Sequence, residues 1–290
     1  MSVPGLLLAC GLSFVFLCFA FRPLEMAFPA RRGQRFFRPA WLTDLAFFAG
    51  QYLVWNGLIF WLLAALGFWL DRAVPHGFRA VVGSQHWFAQ AIEVVTLSDL
   101  CVYWGHRLQH RVSWLWRFHA IHHSAEHLDW LAAHREHPID TVYTLTLINL
   151  PAFLLGFPLE TLAGLIAFRG VWAIYIHSNV RLPIGPLRVL VGAPELHHWH
   201  HDRDRDFGNY ANISPLMDVF FGTYHCPDHE PDRFGIVEEM PKGYLAQLAH
   251  PFRGRGRRSN SNRLPRVESD GGFDFGGRPA RVNAQQESCQ

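Results

Sequence analysis

Residues 106–123 read HRLQHRVSWLWRFHAIHH, and residues 197–201 read HHWHH. In an α-helix, residues three and four apart lie on one face. His106 and His110 therefore share a face, as do His119, His122 and His123, and again His197, His200 and His201. Each cluster is expected to point two or three ring nitrogens at one spot. A tetrahedral zinc takes about four ligands at most, so eight imidazoles at this spacing imply two metals. His198 falls on a different face and reads as a structural residue or one that supports a ligand ring.

Long apolar runs stand beside these clusters. Apolar residues make up 50% of the 290-residue chain and charged residues 17%, against about 25% charged in soluble domains. Uncharged stretches cover 5–21 and 45–70, and about 17–25 apolar residues cross a bilayer. The first run has no positive residue before it and is followed by Arg22, which predicts an uncleaved anchor rather than a signal peptide. A third run, 87–105, delivers His106. The stretch 141–176 is broken by Pro151, Pro158, Glu160 and Arg169. It reads as a short hairpin or re-entrant pair that returns to its starting side and brings His177 to the clusters. Lys and Arg bias sets orientation. Arg22, Arg31, Arg32, Arg35 and Arg38 put the first loop, and with it every histidine cluster, in the cytoplasm, with the N-terminus outside.

The expected fold is therefore an all-α integral membrane protein. About four transmembrane helices would carry a cytosolic helical lobe holding a histidine-rich dimetal site. Four segments follow: membrane helices and loops over 1–86, a catalytic region over 87–225, an extension over 226–250, and a disordered tail rich in Arg, Gly and Ser over 251–290. Five cysteines (10, 18, 101, 226 and 289) form no C-x-x-C pair and suggest no disulfide framework. Ser113 is a candidate N-cap for the helix bearing the second cluster, and Pro194 and Glu195 suit the first turn of the third.

His177, at the end of an apolar helix, is a ninth candidate metal ligand, and His137, just before Pro138, a possible tenth. The role of His134 stays open, His127 reads as solvated, and His225 as structural. Imidazole suits iron, copper, zinc and nickel alike. The H-E-x-x-H arrangement of a zinc hydrolase is missing from the chain. Carboxylates around the ligands should orient the rings. Asp99, Glu126, Asp140, Glu195 and Asp218 are the candidates, with Asp99, about two turns before His106, the strongest. No G-x-G-x-x-G or C-x-x-C motif offers a nicotinamide or iron–sulfur site. Two other classes fit part of the pattern. A divalent cation transporter or other metal-binding membrane protein would place ligands near the bilayer midplane, and a bis-histidine haem protein would use single histidines on facing helices.

The stretch from Ser98 to Tyr224 resembles the fatty acid hydroxylase/sterol desaturase superfamily of membrane di-iron oxygenases. The matching text includes Ser98-Asp99, Tyr103-Trp-Gly-His106 through His110, and Trp114 through Ser124. It continues with Arg135-Glu-His137-Pro138, His177-Ser-Asn179, Pro194 through His201, Asn209-Tyr210 and Phe221-Gly-Thr-Tyr224. His123-Ser-Ala-Glu126 followed by Leu128-Asp-Trp130 is most similar to bacterial members and relatives of alkylglycerol monooxygenase, which implies a bacterial inner membrane. The resemblance further implies two iron ions, O2, and an oxidant that abstracts hydrogen and returns hydroxyl, or abstracts twice to leave a double bond. Its substrate would be a lipid, and nucleic acid has no place in this chemistry. Electrons would come from a separate reductase, ferredoxin or cytochrome b5-like donor.

Overall fold

The structure, a computed structural model, describes residues 2–157 and 159–253. Eleven α-helices are present among them, in chain order: α1 (Val3–Ala27), α2 (Trp41–Gly50), α3 (Asn56–Ala73), α4 (His76–Gly83), α5 (Trp87–Arg111), α6 (Ser113–His123), α7 (Pro138–Leu155), α8 (Leu159–His177), α9 (Pro194–His200), α10 (Leu216–Phe220) and α11 (Tyr244–Ala249). A π-helical turn, Gln51–Trp55, joins α2 to α3 without a break. No strand occurs among the described residues, only isolated bridges at Pro29–Val180 and Asp202–Phe234. The all-helical architecture matches the sequence expectation.

Among the described residues, three helical segments are long and apolar enough to cross a membrane: α1, the continuous rod Trp41–Ala73, and α7. Their apolar side chains point outward, as at Leu8, Phe16 and Phe19 on α1 and Trp61 and Trp69 on α3. Outside a bilayer such surface would be unfavourable by about 25 cal/mol per Å². Four spans were expected. The third run, 87–105, does form a helix, but Gln90, Glu93, Ser98 and Asp99 make α5 more polar than the other three. The stretch 141–176 forms α7 and α8, which leave the histidine lobe and return to it. Asp140 at the start of α7 contacts His119, and His177 at the end of α8 contacts His122 and His197. α5 packs along α7 closely enough that a side chain at Gly105 would run into Leu147, one residue before His106.

The loop 28–40 does not hang free in solvent as a simple charge count implies. Arg31 binds the Pro231 carbonyl, and its backbone N–H donates to Asn179 (2.7 Å). Arg38 is 5% exposed. It grips Asp129 with two bonds of 2.6 and 2.7 Å and reaches Asp44 at 2.7 Å. Arg135 closes the cluster on the other oxygen of Asp44 at 2.5 Å. Two guanidinium groups and two carboxylates sum to zero charge, and the bidentate fork supplies geometry that a lysine could not. This quartet ties the loop before α2 to the turn following α6.

One local expectation needs correction. Ser113 is not a cap: Val112 alone separates α5 from α6, holds the extended cap conformation, and leaves Ser113 as the first helical residue. Of the segment 251–290, expected as a tail, the structure describes residues 251–253. Pro251 is buried and the Phe252 ring packs on Phe118 and His137, while 254–290 lie outside the described residues.

Replacing Asp44 with alanine leaves two buried arginines short of one carboxylate. Such a loss costs about 3–5 kcal/mol, so D44A should unfold at markedly lower denaturant in detergent. An unchanged midpoint would show that the quartet does not bind the loop to the lobe.

Candidate metal centre

The nine histidines singled out in the sequence stand together, in two adjoining groups. His106, His110, His119, His123 and His200 form one, and His122, His177, His197 and His201 the other; either could hold a metal ion. The groups touch, with the His123 and His201 rings stacked 4.3 Å apart. The clusters do not map one to one onto these groups, as the spacing suggested. Each H-x-x-H-H helix feeds both: His119 and His123 face one group and His122 the other, while His197 and His201 face one and His200 the other. Helical geometry explains the split. Residues four apart differ by about 40° around the axis, whereas the residue three along lies about 60° to the opposite side.

Hydrogen bonds to the outer ring nitrogens decide where the protons sit. Nδ1 of His106 lies 2.9 Å from the Tyr210 carbonyl, Nδ1 of His200 2.7 Å from that of Gly208, and Nδ1 of His177 2.6 Å from that of Ala173. A carbonyl oxygen only accepts, so each Nδ1 donates its proton and each Nε2 is a bare lone pair. His119 donates from Nδ1 to Asp140 at 2.9 Å, and Gln109 holds the other carboxylate oxygen at 2.6 Å. Nε2 of His106 then faces Nε2 of His119 at 3.1 Å with no hydrogen between them. In the second group the bare Nε2 of His177 stands 2.9 Å from Nε2 of His122 and 2.8 Å from that of His197.

Facing lone pairs such as those of His106 and His119 repel unless a cation lies between them. Protons do not supply it. Burial, reinforced by the neighbouring rings, holds His119, His122, His123, His197, His200 and His201 well below their usual 6.5. A metal ion fits. Two nitrogens at right angles on one ion, each about 2.1 Å from it, stand about 3.0 Å apart, within the observed 2.8–3.1 Å. Nine nitrogens and no first-contact carboxylate suit iron, zinc or copper better than magnesium or calcium.

The other candidates lie elsewhere. His137 caps α7: its Nδ1 accepts from the Ile139 N–H at 3.1 Å and its Nε2 meets the Leu248 carbonyl at 3.2 Å. A ring with both nitrogens so engaged is not placed as a ligand. Asp99, expected to steady a ligand ring, instead pairs with Arg169 of α8 at 3.0 Å. Asp140 is the carboxylate that reaches a ring. Asp218 acts at one remove, accepting from the N–H groups of Tyr210 and Ala211 and so fixing the carbonyl that holds His106. His198 bonds Glu230 (2.6 Å) and the Ser178 carbonyl (3.1 Å), away from both groups. His225 stacks on Phe207, and His127 is half-buried. Sequence reasoning missed the roles of Gly208 and Tyr210, because a backbone carbonyl carries no residue-type signal.

Both groups border one cavity of about 490 Å³, reached by His106 and His119 from the first and by His122, His177 and His197 from the second. Its other walls come largely from apolar residues of α1, α3, α7 and α8, such as Leu17, Phe60, Ile148 and Ile174.

With this geometry in view, comparison with known proteins becomes informative. The Fatty acid hydroxylase family model matches residues 91–223. The chain is similar to the ornithine lipid hydroxylase of Rhizobium tropici, with 34% identity over 202 residues, 69% of this chain and 57% of that protein. It is also similar to the alkylglycerol monooxygenase of Homo sapiens (30% identity, covering 49% of this chain and 32% of that one). A Delta(7)-sterol 5(6)-desaturase of Gibberella zeae shows 31% identity over 45% of this chain and 36% of its own. The chain thus spans little more than half of the first relative and about a third of the other two. No solved structure matches it.

Gly208 has φ +87°, and a side chain there would collide with the Thr223 carbonyl. Gly208→Ala should therefore displace the carbonyl holding His200 and lower metal content, measured by elemental analysis, without altering any ring. Full metal retention would show that this carbonyl is dispensable. A pH effect follows from the six buried rings. Their folded pKa values lie below the unfolded value of 6.5, so below pH 6.5 the unfolded chain binds more protons and gains stability. Chelator-treated protein should lose thermal stability steadily from about pH 6.5 downward, with no contribution from these rings above it. A flat profile between about pH 7.5 and 5.5 would contradict the buried neutral rings.

Proposed function

We propose, for a chain that over residues 91–223 belongs to the fatty acid hydroxylase family of the hydroxylase and desaturase superfamily, that it oxidises a C–H bond of a membrane lipid. The reaction would use O2, two iron ions and electrons from a separate reductase, ferredoxin or cytochrome b5-like donor. One observation carries this reading: a single cavity, walled by membrane-type helices, is lined by histidines of both groups.

In this reading His106, His110, His119, His123 and His200 hold one iron, and His122, His177, His197 and His201 the other. Iron so held would supply the oxidising power that an unactivated C–H bond demands. The chain's own residues do the rest. The carbonyls of Tyr210, Gly208 and Ala173 keep the proton on Nδ1, leaving Nε2 free to bind metal. Asp140 does the same for His119 and makes that ring the more basic through its negative charge. Apolar residues of α1, α7 and α8 orient a hydrocarbon and keep water out, so charge developing at the centre is not screened. Asp99 positions Arg169, and through it α8, rather than a ligand ring.

The catalytic region would then be 87–225, with 1–86 as its membrane base and 226–250 as an extension. The packing of the arginine loop 28–40 on the lobe supports a cytoplasmic position for the metal face, in the inner membrane if the source is bacterial. The test supplies membranes carrying the protein with a reducing system and 18-labelled O2, then examines extracted lipids by mass. A labelled hydroxyl indicates hydroxylation, and loss of two hydrogens without label indicates desaturation. His197→Ala should remove product and metal together. No change in any lipid with any electron donor would overturn the proposal.

A further inference from the structure

The cavity that meets both histidine groups is not uniformly apolar. One wall is built where the rod Trp41–Ala73 passes through its π-helical turn, and it carries Gln51, Tyr52 and Asn56. In an α-helix, residues five apart diverge by about 140° around the axis. Here the Asn56 N–H bonds to the Gln51 carbonyl, the five-residue bond of a π turn. The extra residue per turn brings Asn56 round beneath Gln51, so both amides line the same cavity. π turns are uncommon and concentrate at functional sites. This one would be a pure cost to the rod if it only crossed the bilayer.

A second, independent observation comes from the turn after α6. His134 borders the cavity next to this wall, 8% exposed, its ring held edge-on by Phe48 at 4.8 Å. Its Nε2 is buried and has no partner in the protein. A buried polar atom left unsatisfied costs about 1–3 kcal/mol, and a ligand hydrogen bond would remove that cost. Tyr52 is already satisfied by Ser13, so the open hydrogen-bonding capacity lies with Gln51, Asn56 and His134.

We infer that this wall is the head-group site of the lipid substrate, and that the head it takes is uncharged and bears hydroxyl or amide groups. Two amides and an imidazole can donate to such a head and accept from it. A phosphate or carboxylate would need a free cation. The guanidinium on the described lining, Arg169, is paired through Nη2 with Asp99 at 3.0 Å and with the Val95 carbonyl at 3.2 Å; its Nε and Nη1 have no partner in the protein, so the pair offers N–H donors but no net positive charge to an anionic head. The hydrocarbon part of the substrate then lies along the apolar walls toward the histidines. The volume of about 490 Å³ falls within the ordinary range for sites enclosing one small molecule, about 300–1,000 Å³. The inference rests on reading this cavity as the place where lipid meets the metal centre.

Direct binding tests it separately from catalysis. The full chain, metal-loaded and in nanodiscs, is titrated with radiolabelled 1-O-hexadecylglycerol and with hexadecanamide, which distinguish a hydroxyl head from an amide head. Hexadecyl phosphate and hexadecylamine serve as charged competitors, and hexadecane as the headless control. At least one neutral probe should bind about tenfold or more tighter than either charged one. Gln51→Leu, Asn56→Leu and His134→Phe should each weaken that probe by about 3- to 10-fold, the worth of one hydrogen bond, with metal content and hexadecane binding unchanged. Should His134→Phe fail to fold, the two amide variants decide. Charged probes competing equally well, or amide variants binding the neutral probes like the parent, would overturn the head-group site. Absence of oxidised lipid with this binding pattern intact would count against the oxygenase reading alone.

Discussion

Lone pairs that face one another in a dry interior are the constraint from which the rest of this structure follows. Nine imidazoles converge with inner nitrogens as close as 2.8 Å. The outer nitrogens of His106, His119, His177 and His200 are tied to groups that can only accept, which leaves the inner nitrogens of these four rings without a proton. Burial keeps further protons out. The arrangement is stable only around a cation, and its cost is shared among backbone carbonyls rather than carboxylates. Metal held by these rings would leave the site strongly positive, with Asp140 in direct contact with the His119 ring.

Holding such a centre demands a rigid frame, and the frame is electrostatic on one side and apolar on the other. The Arg38–Asp44–Arg135–Asp129 quartet joins the loop before α2 to the segment after α6. Glu25, at the end of α1, accepts from the N–H groups of Trp130 and Asn179 and so ties the first apolar helix to the same lobe. A core of Leu17, Phe21, Phe48, Trp130 and Ile174 fills the space between. The membrane helices are therefore not a separate anchor carrying a catalytic lobe. Their inner ends are part of its walls, which is why one cavity runs from α1 and α3 to the histidines.

On the proposed reading, chemistry and substrate selection are divided along that cavity. Rings of both metal groups form one part of its lining, and the π turn with His134 forms another. An amphiphile bridging the two would present a fixed carbon to the centre, since a head held by hydrogen bonds and a chain held by packing leave little freedom to slide. The relatives act on ornithine lipid, alkylglycerol and sterol by name. On the proposed reading, walls such as this one would select among such lipids.

The spacing of His106, His110, His119, His122, His123, His197, His200 and His201 was enough, by itself, to mark them as a set, because helical periodicity is local and needs no knowledge of the fold, and the place of His177 at the end of an apolar run added it to them. The apolar runs 5–21 and 45–70 likewise announced the helical segments that the structure extends over 3–27 and 41–73. Tertiary structure alone decided how the set divides. Each H-x-x-H-H helix lies between the two groups, so a difference of about 100° around its axis separates His122 from His123. It also decided that Asp99 meets Arg169, that His137 caps α7, and that the partners of His106 and His200 are carbonyls of residues 210 and 208. Those outcomes depend on which segment passes a given ring. A carbonyl looks the same at every position in a sequence, and a carboxylate two turns from a histidine names no partner until the neighbouring helix is in place.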